Sequence, residues 1–580
     1  MPFLLENIMR YCVEAVMELG MYTYEEFKEI ATKFHGYPAP GIMLGAYMVE
    51  LAKEKVAPYL ENHGLYNAIS ETGQCLPDAI QLLTPCTVGN GWLTVYNTGR
   101  YAMSLFNKYT GRGVRVYLDY DKLNDYPAVL EWLMKLKPKR EQNSDALQEE
   151  IKQAKYSIFS VQEITALPEF YGKHSKGAVV RCALCHEPIP AKEGIICKAC
   201  QGKSPYCTEK MAEIQLKAVP VEEAAGKRAL HDMTKIVPDE FKGAQFLAGQ
   251  ALTGGDMCEL QRMGKNQIYV VDEENPQQNQ SLYTDTGIIR DIDTPQYIHE
   301  NECAKVLGEL LGGKYIQAQT KIREGKISFV AEKDGVLWLD EARLQEFNRY
   351  GDVIAVTRKQ ASRVKKGQVV ASSRAVPLYL TKQQWLRAKN VLSRGALFSL
   401  YPLRQMKMGI LVTGTEVFSG LIEDKFAPII SKKAAQYDCT VMDVKFAPDN
   451  RERIYKAVQE LREDGAELIV TTAGLSVDPD DVTRKALEDA GLQNYMYGMP
   501  VLPGAMSLVG EFKAQDELGA CAVIGVPACA LFHKITAFDV LLPLVLAGVP
   551  LDRDFFAGRA GGGLCENCEV CTYPHCRFAV

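Results

Sequence analysis

The chain has 580 residues, 47% hydrophobic and 24% charged, enough apolar material for several domains that each bury a core. Its net charge of −6 and pI near 5.9 argue against a broad electrostatic grip on nucleic acid or anionic lipid. The most apolar late segment, 530–549, is broken by His533, Lys534, Asp539 and Pro543, so it does not read as a membrane span. The opening MPFLLENIMRYC lacks the basic, apolar and cleavage regions of a signal peptide. Eight of the 17 cysteines gather in two metal-like clusters instead of spreading as disulfide partners, which points to a reducing compartment, the cytoplasm.

Residues 1–170 alternate helical patterns with short strands and read as an α+β domain. MYTYEEFKEIATKFHG has amphipathic spacing and a glycine stop, and a turn then feeds a second helix in PGIMLGAYMVELAKE. TVGNGW and YNTG mark turns between strands. Three motifs, FHG-x-x-x-PG, C-x-x-DAI and CT-x-GN, resemble the family of the E-type subunit of formylmethanofuran dehydrogenase, a molybdenum or tungsten pterin enzyme. His35, Cys75, Asp78 and Cys86 are residue types that converge on soft or borderline metals, with His35 and Cys75 the foremost pair. The same residues also serve structure, histidine as a hydrogen-bonding group and cysteine as a small hydrophobe.

Residues 171–212 carry Cys182-x2-Cys185, eleven residues, then Cys197-x2-Cys200. Four thiolates fill a tetrahedral zinc shell and leave no open position, so this four-cysteine module is structural. A segment this short cannot build its own core, and the metal is expected to hold it folded.

Residues 213–400 read as short apolar strands with glycine turns around a helical patch near 303–311. The pieces LHDMTKI, DEFKGAQFLAGQ, MGKNQIYV, HENECA and VKKGQVVASSRAVPLYL resemble the β-rich scaffold domains of molybdopterin molybdotransferases. In that family such regions position the pterin domain and form a homodimer. His299, Glu300 and Glu302 are candidates for a cleft or for a charged helix start.

From 401 to 551 strand and helix patterns alternate, which implies a mostly parallel sheet wrapped by helices in three layers. No G-x-G-x-x-G follows the first strand, so a Rossmann nucleotide domain is disfavoured. VTGTEV, EDKFAP, TTAGLSVDPDDVT, YGMPVLPGAM and VIGVPAC resemble, in order, the loops of the molybdopterin-binding domain of the molybdotransferases. The resemblance implies a molybdopterin or pterin-nucleotide site at Thr413, Gly414, Thr415, Asp424, Gly474, Ser476, Pro503, Gly504 and Pro527. Asp478, Asp480, Asp481 and Glu416 are the candidate catalytic acids, because carboxylates beside an anion site are explained by a bridging Mg2+. The same aspartates would also cap a helix and favour its dipole. Ala473, Thr415 and Cys529 depart from the family's pattern, so binding is better supported than insertion of molybdate or tungstate.

Residues 552–580 end in Cys565-x2-Cys568-x2-Cys571-x4-Cys576, close to the C-x2-C-x2-C-x3-C run of bacterial iron–sulfur proteins. An iron–sulfur cluster and zinc are both open for it, and the preceding AGRAGGG makes it mobile enough to fold onto a neighbour. Three functions follow: cofactor maturation by metal insertion, a non-enzymatic carrier or chaperone serving a recipient molybdoenzyme, or a metal or redox sensor.

Overall fold

A computed structural model describes residues 19–60, 64–172, 177–206, 214–275, 281–284, 287–288, 290–472, 474, 482–514, 518–576 and 578–579. The chain forms two compact units, Met1–Lys176 and Gly177–Val580.

The first unit is built around the helix Pro40–Val56, whose residues from Gly41 to Val49 are all buried. Such a helix is apolar nearly all round because it is covered on all sides. A Cβ added at Gly41 would stand 2.9 Å from Cβ of Cys75, and one at Gly45 2.8 Å from Cβ of Ala79. Only glycine lets the helix Leu76–Leu83 approach this closely. The preceding helix, Tyr24–His35, starts on a capping box between Thr23 and Glu26 and stops at left-handed Gly36. A five-stranded sheet packs against the central helix in the order Leu93–Val95, Tyr66–Ser70, Ala102–Asn107, Arg112–Leu118, Phe159–Thr165. Only its first pair is parallel, which makes the unit α+β.

In the second unit a six-stranded sheet runs Thr440–Ala447, Lys407–Thr413, Leu468–Thr472, Cys521–Val526, Leu508–Phe512, Gln493–Tyr497. The first four strands are parallel and the last two antiparallel. Successive side chains point to opposite faces, and both faces are apolar. Met408, Ile410, Val412, Leu468 and Val470 pack with the helices Phe426–Ala435 and Ala537–Ala547. Leu411, Ile469 and Val523 pack with Arg451–Glu463 and Thr483–Asp489. The result is three layers.

The scaffold adds a four-stranded sheet (Ile316–Ala318, Lys326–Ala331, Val369–Ala375, Val353–Thr357) and a three-stranded one (Arg363–Val364, Gly335–Leu339, Phe398–Pro402). The helices Glu300–Leu310 and Lys382–Leu392 share their core. The cysteine module joins that same core through Cys182, Ala183, Ile189 and Ile196. Its fold therefore rests on the scaffold as well as on any metal. Among the described residues, no helix is long and apolar enough to cross a membrane.

The tail folds onto the neighbouring domain of its own chain. Cys565 N–H donates to the Leu502 carbonyl at 2.8 Å, Ala579 N–H to Gly562 at 2.9 Å, and the Tyr573 hydroxyl to the Asp539 carbonyl at 3.1 Å. Phe578 and Ala579 are buried with Phe556, and this apolar anchor holds a segment that its glycines alone would leave loose.

Candidate functional site

Strand order locates the crevice. The chain leaves Lys407–Thr413, returns on one side as Thr440–Ala447, and then crosses to the other side as Leu468–Thr472. The carboxyl ends of Lys407–Thr413 and Leu468–Thr472 lie side by side at this switch point, where open parallel sheets bind ligands.

Thr413 and Gly474 line this split. The Thr413 hydroxyl donates to the Thr472 carbonyl at 2.7 Å and lies 3.2 Å from the Thr483 hydroxyl. Gly474 has φ +59, and a Cβ there would overlap the Thr483 hydroxyl and approach that of Thr413 at 3.2 Å. Glycine is the residue that tolerates this φ and this close approach to the Thr483 side chain. Beneath it the hydroxyls of Thr471 and Thr472 are buried with no hydrogen-bond partner among the described residues. The two lie on opposite faces of the strand; Thr471 shares the face of Leu411 and Ile469, as Thr413 does by register, so its unpartnered hydroxyl is the one that fits a polar ligand on that side. Ser476, Asp478, Asp480 and Asp481 lie outside the described residues.

Gly414 has φ +138, which turns the chain so that the Thr415 amide and hydroxyl both donate to Oδ2 of Asp449, at 2.8 and 3.0 Å. Asp449 returns the contact through its own amide at 3.2 Å. Sequence reasoning missed Asp449. Its signal was an acid just past the carboxyl end of a parallel strand, Thr440–Ala447. Glu416 is exposed on the short helix Thr415–Phe418 and stands at the rim. Asp424 accepts the amides of Phe426 and Ala427 at 2.8 and 3.1 Å, so its carboxylate starts a helix.

The Pro503-Gly504 loop packs on a helix start. Ala537 N–H donates to the Pro503 carbonyl at 3.0 Å, and a Cβ on Gly504 would stand 2.7 Å from the Ala537 nitrogen. Pro527 follows the strand Cys521–Val526, at the same end of the sheet as Thr413 and Thr472. The structure thus brings Thr413, Gly414, Thr415 and Gly474 to the split, with Pro527 on the next strand. It gives Asp424 and Gly504 structural work.

The cysteine module is a preformed metal centre. Sγ of Cys182 and Cys200 are 3.9 Å apart, those of Cys185 and Cys197 3.8 Å, and all four lie within 4.8 Å of one another. Four sulfurs each about 2.3 Å from one zinc ion stand about 3.8 Å apart. The amide of Cys197 donates to Sγ of Cys182 at 3.3 Å. Burial pushes the Cys182 thiol up, but backbone donors at Cys197, Leu184 and Cys185 outweigh it and bring it to about 7. Burial and the neighbouring sulfurs push the Cys200 thiol up.

In the first unit His35, Cys75 and Asp78 come together. Asp78 Oδ2 lies 2.6 Å from His35 Nδ1, and Cys75 Sγ 3.8 Å from Nε2. The carboxylate fixes the ring so that Nε2 faces the sulfur. Cys75 sits at the start of Leu76–Leu83 with φ +52, and burial followed by the Asp78 charge pushes its thiol up. Cys86 is buried and bonded to the Tyr66 carbonyl at 3.4 Å, a packing role. Glu71 is the buried acid that sequence reasoning passed over. Burial raises it, but Arg115 at 2.5 Å and Arg100 at 2.7 Å hold it below the usual carboxylate range.

Comparison with known proteins gives four family matches. Residues 34–166 match FmdE, described as "Molybdenum formylmethanofuran dehydrogenase operon", and 173–207 match the FmdE treble clef zinc finger. Residues 409–547 match the "Probable molybdopterin binding domain", and 218–272 match a domain of unknown function, DUF8806. A "Probable S-adenosyl-L-methionine-binding protein" of Archaeoglobus fulgidus is 29% identical over 30% of this chain and 51% of its own length. A "Molybdopterin molybdenumtransferase" of Haemophilus influenzae is 29% identical over 24% of this chain and 35% of its own. The chain thus spans about half of the first relative and about a third of the second. A solved FmdE-like protein of the tungsten formylmethanofuran dehydrogenase type, from Syntrophus aciditrophicus, is 47% identical over 32% of this chain and 96% of its own, with a TM-score of 0.29.

Proposed function

We propose, from the premise that this chain belongs to the FmdE proteins through residues 34–166 and carries a molybdopterin-binding domain at 409–547, that it binds molybdopterin or its nucleotide adduct and acts in molybdenum or tungsten cofactor maturation. The observation that carries this is the switch point of the sheet, where Gly474 lies against the Thr483 and Thr413 hydroxyls and the buried Thr471 hydroxyl has no partner among the described residues. When bound, molybdopterin supplies the dithiolene that takes molybdate or tungstate. Thr413, Gly414, Thr415 and Ser476 would hold the ligand's polar end, and Pro503 and Pro527 would shape its walls. Asp478, Asp480, Asp481 and Glu416 would hold Mg2+ against its phosphate.

Carriage to a recipient molybdoenzyme is the second reading. It is favoured by Asp424, which serves as a helix cap, and by Thr415, which stands where the family has an acid. His35 and Cys75 would form a soft-metal pair, with Asp78 orienting the ring from behind. The working form would be a homodimer in the cytoplasm, with zinc in the four-cysteine module.

Anaerobic purification from a pterin-producing host, oxidation and fluorescence detection of released pterin tests the reading. Wild type is expected to release pterin and the Asp478→Asn/Asp481→Asn variant to release little. No pterin from wild type, even after loading with purified molybdopterin, would overturn it. Turnover with molybdate then separates inserter from carrier.

A further inference from the structure

The tail's four cysteines all line one cavity. Cys565, Cys568, Cys571 and Cys576 surround a space of about 340 Å³ on the second unit, between the tail and residues 532–535. Its remaining walls mix apolar groups, Ile535 and Phe578 among them, with polar ones that include Lys534, Glu566 and Asn567. The tail is held around this space by the Cys565 and Tyr573 hydrogen bonds to Leu502 and Asp539, by the Ala579 bond to Gly562 and by the buried Phe578.

The two cysteine sets differ in spacing. Four thiolates on one ion must crowd together, as those of Cys182, Cys185, Cys197 and Cys200 do. Among the described residues the tail thiols form no such group within 4.8 Å, although all four face one cavity. Thiolates on the separate corners of a metal–sulfide cube stand farther apart, because each binds a different iron and sulfide fills the centre. Two spacers of two residues suit three corners reached from one loop, and Cys576, which lines the same cavity, is the thiol left for the fourth.

We infer that this cavity is the binding site of a [4Fe–4S]-type cluster held by Cys565, Cys568, Cys571 and Cys576. On ligation each thiol gives its proton to solvent and becomes a thiolate. Of the charged groups lining the cavity, Lys534 offsets the charge of an all-thiolate cluster and Glu566 adds to it. The apolar groups of the walls keep water from the sulfides, and Cys568 and Cys571 are exposed, so the cluster enters from that side. Its neighbours are two loops of the crevice domain. Leu502, which binds the Cys565 amide, precedes Pro503, and the turn after Pro527 leads into Phe532 and His533.

The test is anaerobic reconstitution of the full chain with ferrous and ferric iron, sulfide and a thiol reductant. Roughly four iron and four sulfide per chain are expected, with broad visible absorption that bleaches in air. Cys568→Ser and Cys571→Ser each should lose most of the iron, while Cys258→Ser, at an exposed cysteine elsewhere, keeps it. Cys568 and Cys571 are exposed, so their replacement leaves the core intact, and retained zinc at the 182–200 set reports folding. A tail that takes one zinc ion and no sulfide would overturn the inference. So would iron retained in both serine variants, or no metal in the wild-type tail. Pterin release measured on the same samples keeps this outcome separate from that of the crevice reading.

Discussion

Oδ1 of Asn390 accepts the backbone N–H of Ile195 at 2.9 Å, across 195 positions of the chain, and so ties the cysteine module to a buried helix of the scaffold. Asn390 is itself buried, and it also accepts from Ile196 at 3.4 Å. Removing the carboxamide would leave two amides unsatisfied, at a cost of about 1–3 kcal/mol each. Asn390→Leu should therefore lower the denaturant midpoint of the second unit while the four thiols still bind zinc. An unchanged midpoint would mean that the module stands alone.

Metal removal should reach farther than the module. Cys182, Ile189 and Ile196 are part of the scaffold core, so chelation or Cys200→Ser should expose amides in Lys382–Leu392 as well as in 177–206. Hydrogen exchange with and without zinc measures this. Loss confined to 177–206 would contradict the shared core.

Gly474 offers a controlled comparison with Gly465, since both have positive φ, at +59 and +89. Alanine at 465 meets nothing within 4 Å and carries only the backbone strain, about 1–2 kcal/mol. Alanine at 474 adds overlap with Thr483 at the crevice floor. Gly474→Ala is expected to lose pterin while Gly465→Ala retains it, both read as fluorescent pterin released per chain.

Glu300 carries a pH signature. It is 6% exposed, and burial, reinforced by Asp232 and Glu324 and opposed by Arg374, raises its carboxyl to about 7. The folded form holds its proton more tightly than the unfolded chain does. Stability from this group is therefore present below about pH 4.5 and falls as pH rises towards 7. A shift of this size corresponds to on the order of 2–3 kcal/mol. Glu300→Gln should raise the melting temperature at pH 8 and leave it nearly unchanged at pH 4.5. Equal effects at both values would sink the assignment.

Local chemistry was written in the sequence. Cys-x2-Cys pairs can reach one ion because a tight turn needs no distant partner, and the FHG stop and the alternating 407–547 pattern follow from glycine geometry and side-chain period. Tertiary structure decided what depends on segments far apart in the chain. Asp424 gains the amides of Phe426 and Ala427 as partners only in the fold, while Asp449 reads as loop until Thr415 folds against it. The tail's glycines let it fold onto a neighbour, and which surface it takes was decided by the packing of Phe578 and the bonds to Leu502 and Asp539. Residue type and spacing establish which reactions a side chain can perform. Burial and partners, which arise only when distant segments pack, decide which of those it is left free to do.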